Sequence, residues 1–115
     1  MLAIYGIRNC DTMKKAMTWL DLHGITYTFH DYKKSGIDAP TLERWEKRLG
    51  WEALLNRRVT TWKKLDEVVR SGINRETALQ LMQEQPSLIK RPVVDTGAVL
   101  LIGFEPDIWE EQLTT

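Results

Sequence analysis

The sequence predicts one α/β unit, a small mixed sheet built in the order βαβ and then ββα, with a helical insertion between the two halves. Three observations carry this expectation. Two short strand-like runs flank a segment of helical period near the start, residues 33–86 show only helical patterning, and the chain closes on a hairpin pattern and a final helix. At 115 residues, 43% apolar and 28% charged, the chain has the size of a single domain, 1–115, with 33–86 inserted into it.

Leu2 to Tyr5 (LAIY) reads as a short strand ending at Gly6, and Ile7 to Asn9 connect it to Cys10. From Asp11 onward Met13, Ala16, Met17 and Leu20 recur at helical spacing, with Lys14, Lys15, Thr18 and Asp21 opposite and Gly24 as a stop. Ile25, Tyr27 and Phe29 alternate with Thr26, Thr28 and His30, the period of a half-buried strand. A crossover this short favours a parallel, right-handed pair, which places the end of the first strand, the start of the helix and Cys10 at one sheet edge. In the insertion Pro40 suits a first turn, Gly50 and Gly72 end helices, and Asn74 caps the segment from Arg75 to Gln85. Pro92 to Asp95, a Thr96-Gly97 turn and Ala98 to Ile102 form the hairpin, and Glu105 to Leu113 close the chain around Trp109.

Lys+Arg and Asp+Glu number 16 each, so the formal charge is zero and no broad basic face is available for direct nucleic-acid or anionic-membrane binding. The longest uncharged apolar run, Ala98 to Phe104, is too short to cross a bilayer, and the opening residues lack the pattern of a secretory signal. A single cysteine cannot form an internal disulfide. A cytoplasmic location is therefore expected.

Cys10 is the candidate nucleophile. A thiol reacts as its thiolate, and the unpaired amides and dipole at the start of the Asp11 helix favour that anion, with Arg8 two residues away and Asp11 opposing. Free cysteines are often simply buried. The polar neighbours Arg8, Asn9, Asp11 and Thr12 argue against a core position, and Asn9 or Thr12 could hydrogen-bond the sulfur or a bound oxyanion. Lys90-Arg91-Pro92 lies where the insertion returns to the sheet, and Arg57-Arg58 lies inside the insertion. Spacing does not say whether these arginines are site residues or solvated charges, nor which of Arg57 and Arg58 turns inward. His23 and His30 have no metal-ligand spacing with Cys10, so no metal is expected. Glu110 and Glu111 point apart on one helix, no phosphate-binding glycine loop is present, and the five tryptophans read as packing residues.

The segments Tyr5-Gly6-Ile7-Arg8-Asn9-Cys10-Asp11-Thr12-Met13-Lys14-Lys15-Ala16, Asn56-Arg57-Arg58 before Thr60-Thr61-Trp62-Lys63-Lys64-Leu65, and Gln85-Pro86-Ser87-Leu88-Ile89-Lys90-Arg91-Pro92-Val93 together resemble the arsenate reductase (ArsC)/Spx/YffB family over nearly the whole chain. The resemblance is nearest to the YffB branch. It implies a thioredoxin-like fold with an inserted helical subdomain and a glutathione-dependent thiol reductase activity. It also implies Cys10 as nucleophile, Arg91 as the anion-binding side chain beside it, Pro92 as a loop proline in cis, and Arg58 as a second glutathione-binding arginine.

Two departures separate the family's activities. Where arsenate reductases supply a third arginine, this chain reads Ile102-Gly103-Phe104-Glu105-Pro106, and an acid there repels arsenate. Spx-type regulators carry a CxxC pair, whereas Cys10-Asp11-Thr12-Met13 has one thiol. The leading expectation is a monothiol reductase with no permanently bound cofactor, acting on mixed disulfides with glutathione as co-substrate. A non-catalytic Spx-like adaptor that contacts RNA polymerase is the alternative from another class, and arsenate reduction is the least favoured of the three expectations.

Overall fold

A computed structural model describes residues 2–114. Its elements run β1 (Leu2–Gly6), α1 (Asp11–Leu22), β2 (Tyr27–Asp31), α2 (Tyr32–Ser35), α3 (Ala39–Leu49), α4 (Trp51–Leu54), α5 (Thr60–Lys63), α6 (Glu67–Ser71), α7 (Arg75–Glu84), a 3₁₀ turn (Pro86–Leu88), β3 (Val93–Asp95), β4 (Leu100–Ile102) and α8 (Pro106–Leu113). Contacts divide the chain into two compact units, one of residues 1–35 and 91–115, the other of residues 36–90.

The first unit holds a four-stranded mixed sheet in the order β2-β1-β3-β4. β1 and β2 are parallel, with Ile4 opposite Phe29, while β1–β3 and β3–β4 are antiparallel. Alternation along β1 sends Leu2 and Ile4 into a core with Met13, Ala16 and Leu20 of α1, Val94 and Trp109. Trp109 is 1% exposed and its indole N–H donates to the Gly103 carbonyl at 3.1 Å, which satisfies its one polar atom. Gly6 is required by close approach. A Cβ there would stand 2.3 Å from Met13 Sδ, so only glycine lets the first turn of α1 lie against the end of β1.

Of the boundaries that differ from the sequence expectation, two have a clear local reason. β2 begins at Tyr27 because the Ile25 N–H donates back to the Leu20 carbonyl at 3.0 Å, closing α1 through Gly24 at φ 65°. The hairpin loop extends from Thr96 to Val99 instead of the Thr96-Gly97 pair. There the Gly97 N–H donates to Asp95 Oδ1 (2.8 Å) and the Val99 N–H to Thr96 Oγ1 (2.9 Å), so side chains take amides that a two-residue turn would have left to the ladder.

The second unit is helical but broken into short pieces, with α3 and α4 packed on α7. Asp38 caps α3 by accepting the Thr41 N–H, and Asn74 and Thr77 form a reciprocal capping box on α7. Trp45, Leu54, Ala78, Met82, Leu88 and Ile89 are fully buried. An antiparallel bridge, Leu55 with Ile89, joins the middle of the unit to its end; the purely helical expectation for residues 33–86 did not include it. No helix among the described residues is long and apolar enough to cross a membrane.

Candidate active site

Cys10 occupies the N-cap of α1, with extended φ −113° and ψ 131°, and its carbonyl already accepts the Lys14 N–H at 3.0 Å. An N-cap side chain is the one placed to meet the unsatisfied amides of the first turn, normally through a Ser, Thr or Asp oxygen. Here the atom in that position is sulfur. The neutral side chain makes no capping hydrogen bond, whereas its ionised form is favoured by the N–H groups of Met13 and Thr12.

The thiol is half-buried, and burial on its own pushes its pKa up. Hydrogen bonding from the Arg91 side chain opposes this most strongly, followed by the Met13 and Thr12 amides and the Arg91 charge, and the net result is a pKa below the ordinary thiol value. Arg8, the nearer cation in sequence, is otherwise engaged: its guanidinium lies 5.4 Å from the Phe29 ring centroid. The electropositive partner of the sulfur comes instead from a residue 81 positions downstream, delivered by the strand order β1-β3.

Pro92 follows Arg91 through a cis peptide bond, is buried, and its carbonyl accepts the Gly103 N–H at 2.8 Å. Thr12 acts on the sulfur through its backbone amide rather than its hydroxyl, and Asn9 is exposed and is not among the groups acting on Cys10. Tyr32, 4% exposed, was not singled out by sequence. Burial first, with Tyr5 adding and Arg91 opposing, raises its hydroxyl well above the usual phenol range. It stays a neutral phenol, so Cys10 is the group beside Arg91 that can change charge near neutral pH.

Arg58 belongs to the helical unit. It is exposed, and its N–H donates to Asn56 Oδ1 at 2.9 Å. Arg57 and Arg58 both line a cavity of about 460 Å³ together with Glu52, Leu55, Asn56 and Lys90. Glu52 was not singled out in the sequence, and Lys90 was named only as the residue before Arg91-Pro92. They stand 38 positions apart and share no motif, and only the Leu55–Ile89 bridge brings their segments alongside each other.

Comparison with known proteins agrees with this architecture. The ArsC family model matches residues 5–112. An uncharacterised protein of Haemophilus influenzae is 46% identical over 104 residues, covering 90% of this chain and 91% of its own. The solved structure of a YffB protein superposes with a TM-score of 0.92 at 50% identity, covering 96% of this chain and 97% of that one. The global transcriptional regulator Spx of Streptococcus pneumoniae is 26% identical over 109 residues, covering 93% of this chain and 81% of the regulator. The chain belongs to the ArsC family and has its thioredoxin-like α/β fold.

Proposed function

We propose that this protein is a cytoplasmic glutathione-dependent thiol–disulfide reductase working through Cys10 alone. The observation that carries the reading is the lowered thiol pKa of a half-buried N-cap cysteine, held down by Arg91 and two helix amides. Such a thiolate attacks one sulfur of a glutathione mixed disulfide, forms a Cys10–glutathione disulfide, and expels the substrate thiolate, which takes a proton from water. Because the chain has one cysteine, a second glutathione thiolate attacks the adduct, releasing oxidised glutathione and regenerating the Cys10 thiolate. Across one cycle the substrate sulfur is reduced and the incoming glutathione sulfur is oxidised, while the first glutathione sulfur passes from one disulfide to another. Arg91, a planar cation beside the reacting sulfur, favours the anion that attacks and the anion that returns.

Mass spectrometry after incubation with a glutathionylated peptide tests this directly. A single glutathione adduct on Cys10 and multiple turnovers with added glutathione are expected, and Cys10→Ser should show neither. Turnover by Cys10→Ser at the wild-type rate would eliminate the mechanism.

A second reading, a non-catalytic adaptor for RNA polymerase, is favoured by the likeness to Spx along nearly the whole chain. Co-purification with purified RNA polymerase that Cys10→Ser leaves intact, in a protein lacking turnover, would select it.

A further inference from the structure

Helix α1 carries a second feature besides its N-cap thiol. A groove of about 350 Å³ lies along it, lined by Lys14, Lys15, Thr18, Trp19 and Leu22 of α1 and by Phe104 from the turn before α8. All six belong to the sheet unit, as do Cys10 and Arg91. The aromatic walls are fixed from beneath. Buried Trp109 meets the Trp19 ring edge-on at 5.6 Å and the Phe104 ring edge-on at 4.9 Å, while His23 stacks on Trp19 at 3.8 Å. Leu22, 81% exposed, forms an apolar lip outside the core. The charges in the lining are both cations, and among the described residues neither Lys14 nor Lys15 pairs with a carboxylate.

We propose that this groove docks the polypeptide of a glutathionylated protein substrate, with a large apolar side chain of that protein seated among Trp19, Leu22 and Phe104 and its acidic residues meeting Lys14 and Lys15. This docking role rests on the reductase reading above and names its substrate class, a macromolecule rather than a small mixed disulfide. Charge and shape together choose the occupant. Two unpaired lysines with no acid among the lining residues complement anionic side chains, and rigid aromatic walls beside an exposed leucine complement an apolar anchor. The helix that holds the groove also begins at the reactive sulfur. At a rise of about 1.5 Å per residue, Trp19 lies about 14 Å along the axis from Cys10. An extended segment of about five residues spans that length. A substrate cysteine at Cys10 and an anchor about that far along its own chain therefore engage together, and the second contact raises the effective concentration of the first.

Turnover by the full chain is compared for the mixed disulfide of cysteine and glutathione and for glutathionylated peptides. Each parent peptide carries a phenylalanine about five residues from its cysteine, on one side or the other, with glutamates between. In one of the two polarities, serine in place of the phenylalanine should lower kcat/KM about tenfold, and lysines in place of the glutamates about fivefold. Leu22→Ser and Lys15→Glu, both at exposed positions, should lower kcat/KM for that parent peptide and leave the small disulfide unchanged. Lys15→Glu should also turn over the lysine peptide faster than the wild type does, a rescue that loss of folding cannot produce. Equal kcat/KM for parent and serine peptides in both polarities, or wild-type kcat/KM for the parent peptide in Leu22→Ser, overturns the docking site and leaves the reductase reading standing. Binding of phosphatidylserine vesicles that Leu22→Ser abolishes, without selectivity among the peptides, gives the groove to a membrane surface and likewise overturns it. Absence of turnover on the small disulfide overturns the reductase reading and the docking role with it.

Discussion

The two units of the chain handle charge in opposite ways. In the sheet unit the sulfur of Cys10 is enclosed by groups already committed to it, the Arg91 side chain and the Met13 and Thr12 amides, so the protein sets the ionisation before a ligand arrives. In the helical unit the four charges around the cavity stay exposed and uncommitted to one another. Reactivity requires an environment that shifts a pKa, which comes from partial burial and fixed donors. Recognition requires charges free to pair with something else, which comes from exposure.

The contrast can be broken most severely through packing. Trp109→Ala empties the centre of the sheet unit and removes the bond to Gly103; a loss of about 3–5 kcal/mol is expected in urea denaturation. Gly6→Ala forces Met13 Sδ out of its place and should cost about 1–3 kcal/mol. Because Met13 supplies one of the amides facing the sulfur, the midpoint of Cys10 alkylation against pH should rise in the same variant. A variant that lost stability without moving that midpoint would separate the core from the thiol.

Arg91→Gln sharpens the contrast on the chemical side. Burial then acts against fewer compensating groups, so the alkylation midpoint should move up and the rate at pH 7 fall. Linkage gives a companion result. The folded thiol pKa lies below its unfolded value, so the thiolate's contribution to stability is complete above the unfolded pKa and fades as pH falls through the folded one. Denaturation midpoints of wild type against Cys10→Ser across that interval should diverge with rising pH, and parallel curves would refute the preference for thiolate. The smallest effect belongs to the helical unit. Asn74→Ala breaks the capping box of α7 and should cost about 1 kcal/mol in stability, with the Cys10 midpoint unchanged.

The sheet unit was largely legible in the sequence because its signals are local. Alternation in Ile25 to Phe29, the helical spacing of Met13, Ala16 and Leu20, and the glycine stop after α1 each report a neighbour a few residues away. Asn74 announced its cap for the same reason. The rest depends on long-range pairing. Leu55 meets Ile89 across 34 positions, and Arg91 reaches Cys10 across 81, so neither contact leaves a periodic trace. Arg91 and Pro92 were named from family resemblance, whereas spacing alone offered Arg8, which the fold spends on Phe29. Glu52 had no signal in the sequence, and backbone bonds between its segment and that of Lys90 are what bring the two to one cavity.

Met13 stands where the second cysteine of a CxxC pair would be, wholly out of solvent and wedged against Gly6. A shorter, thiol-bearing side chain there would leave a void under the sheet, and with methionine in that place Cys10 has no internal partner in this chain. Discharge of any adduct on that sulfur is consequently bimolecular. Its lifetime should scale inversely with the concentration of whatever free thiol surrounds the protein.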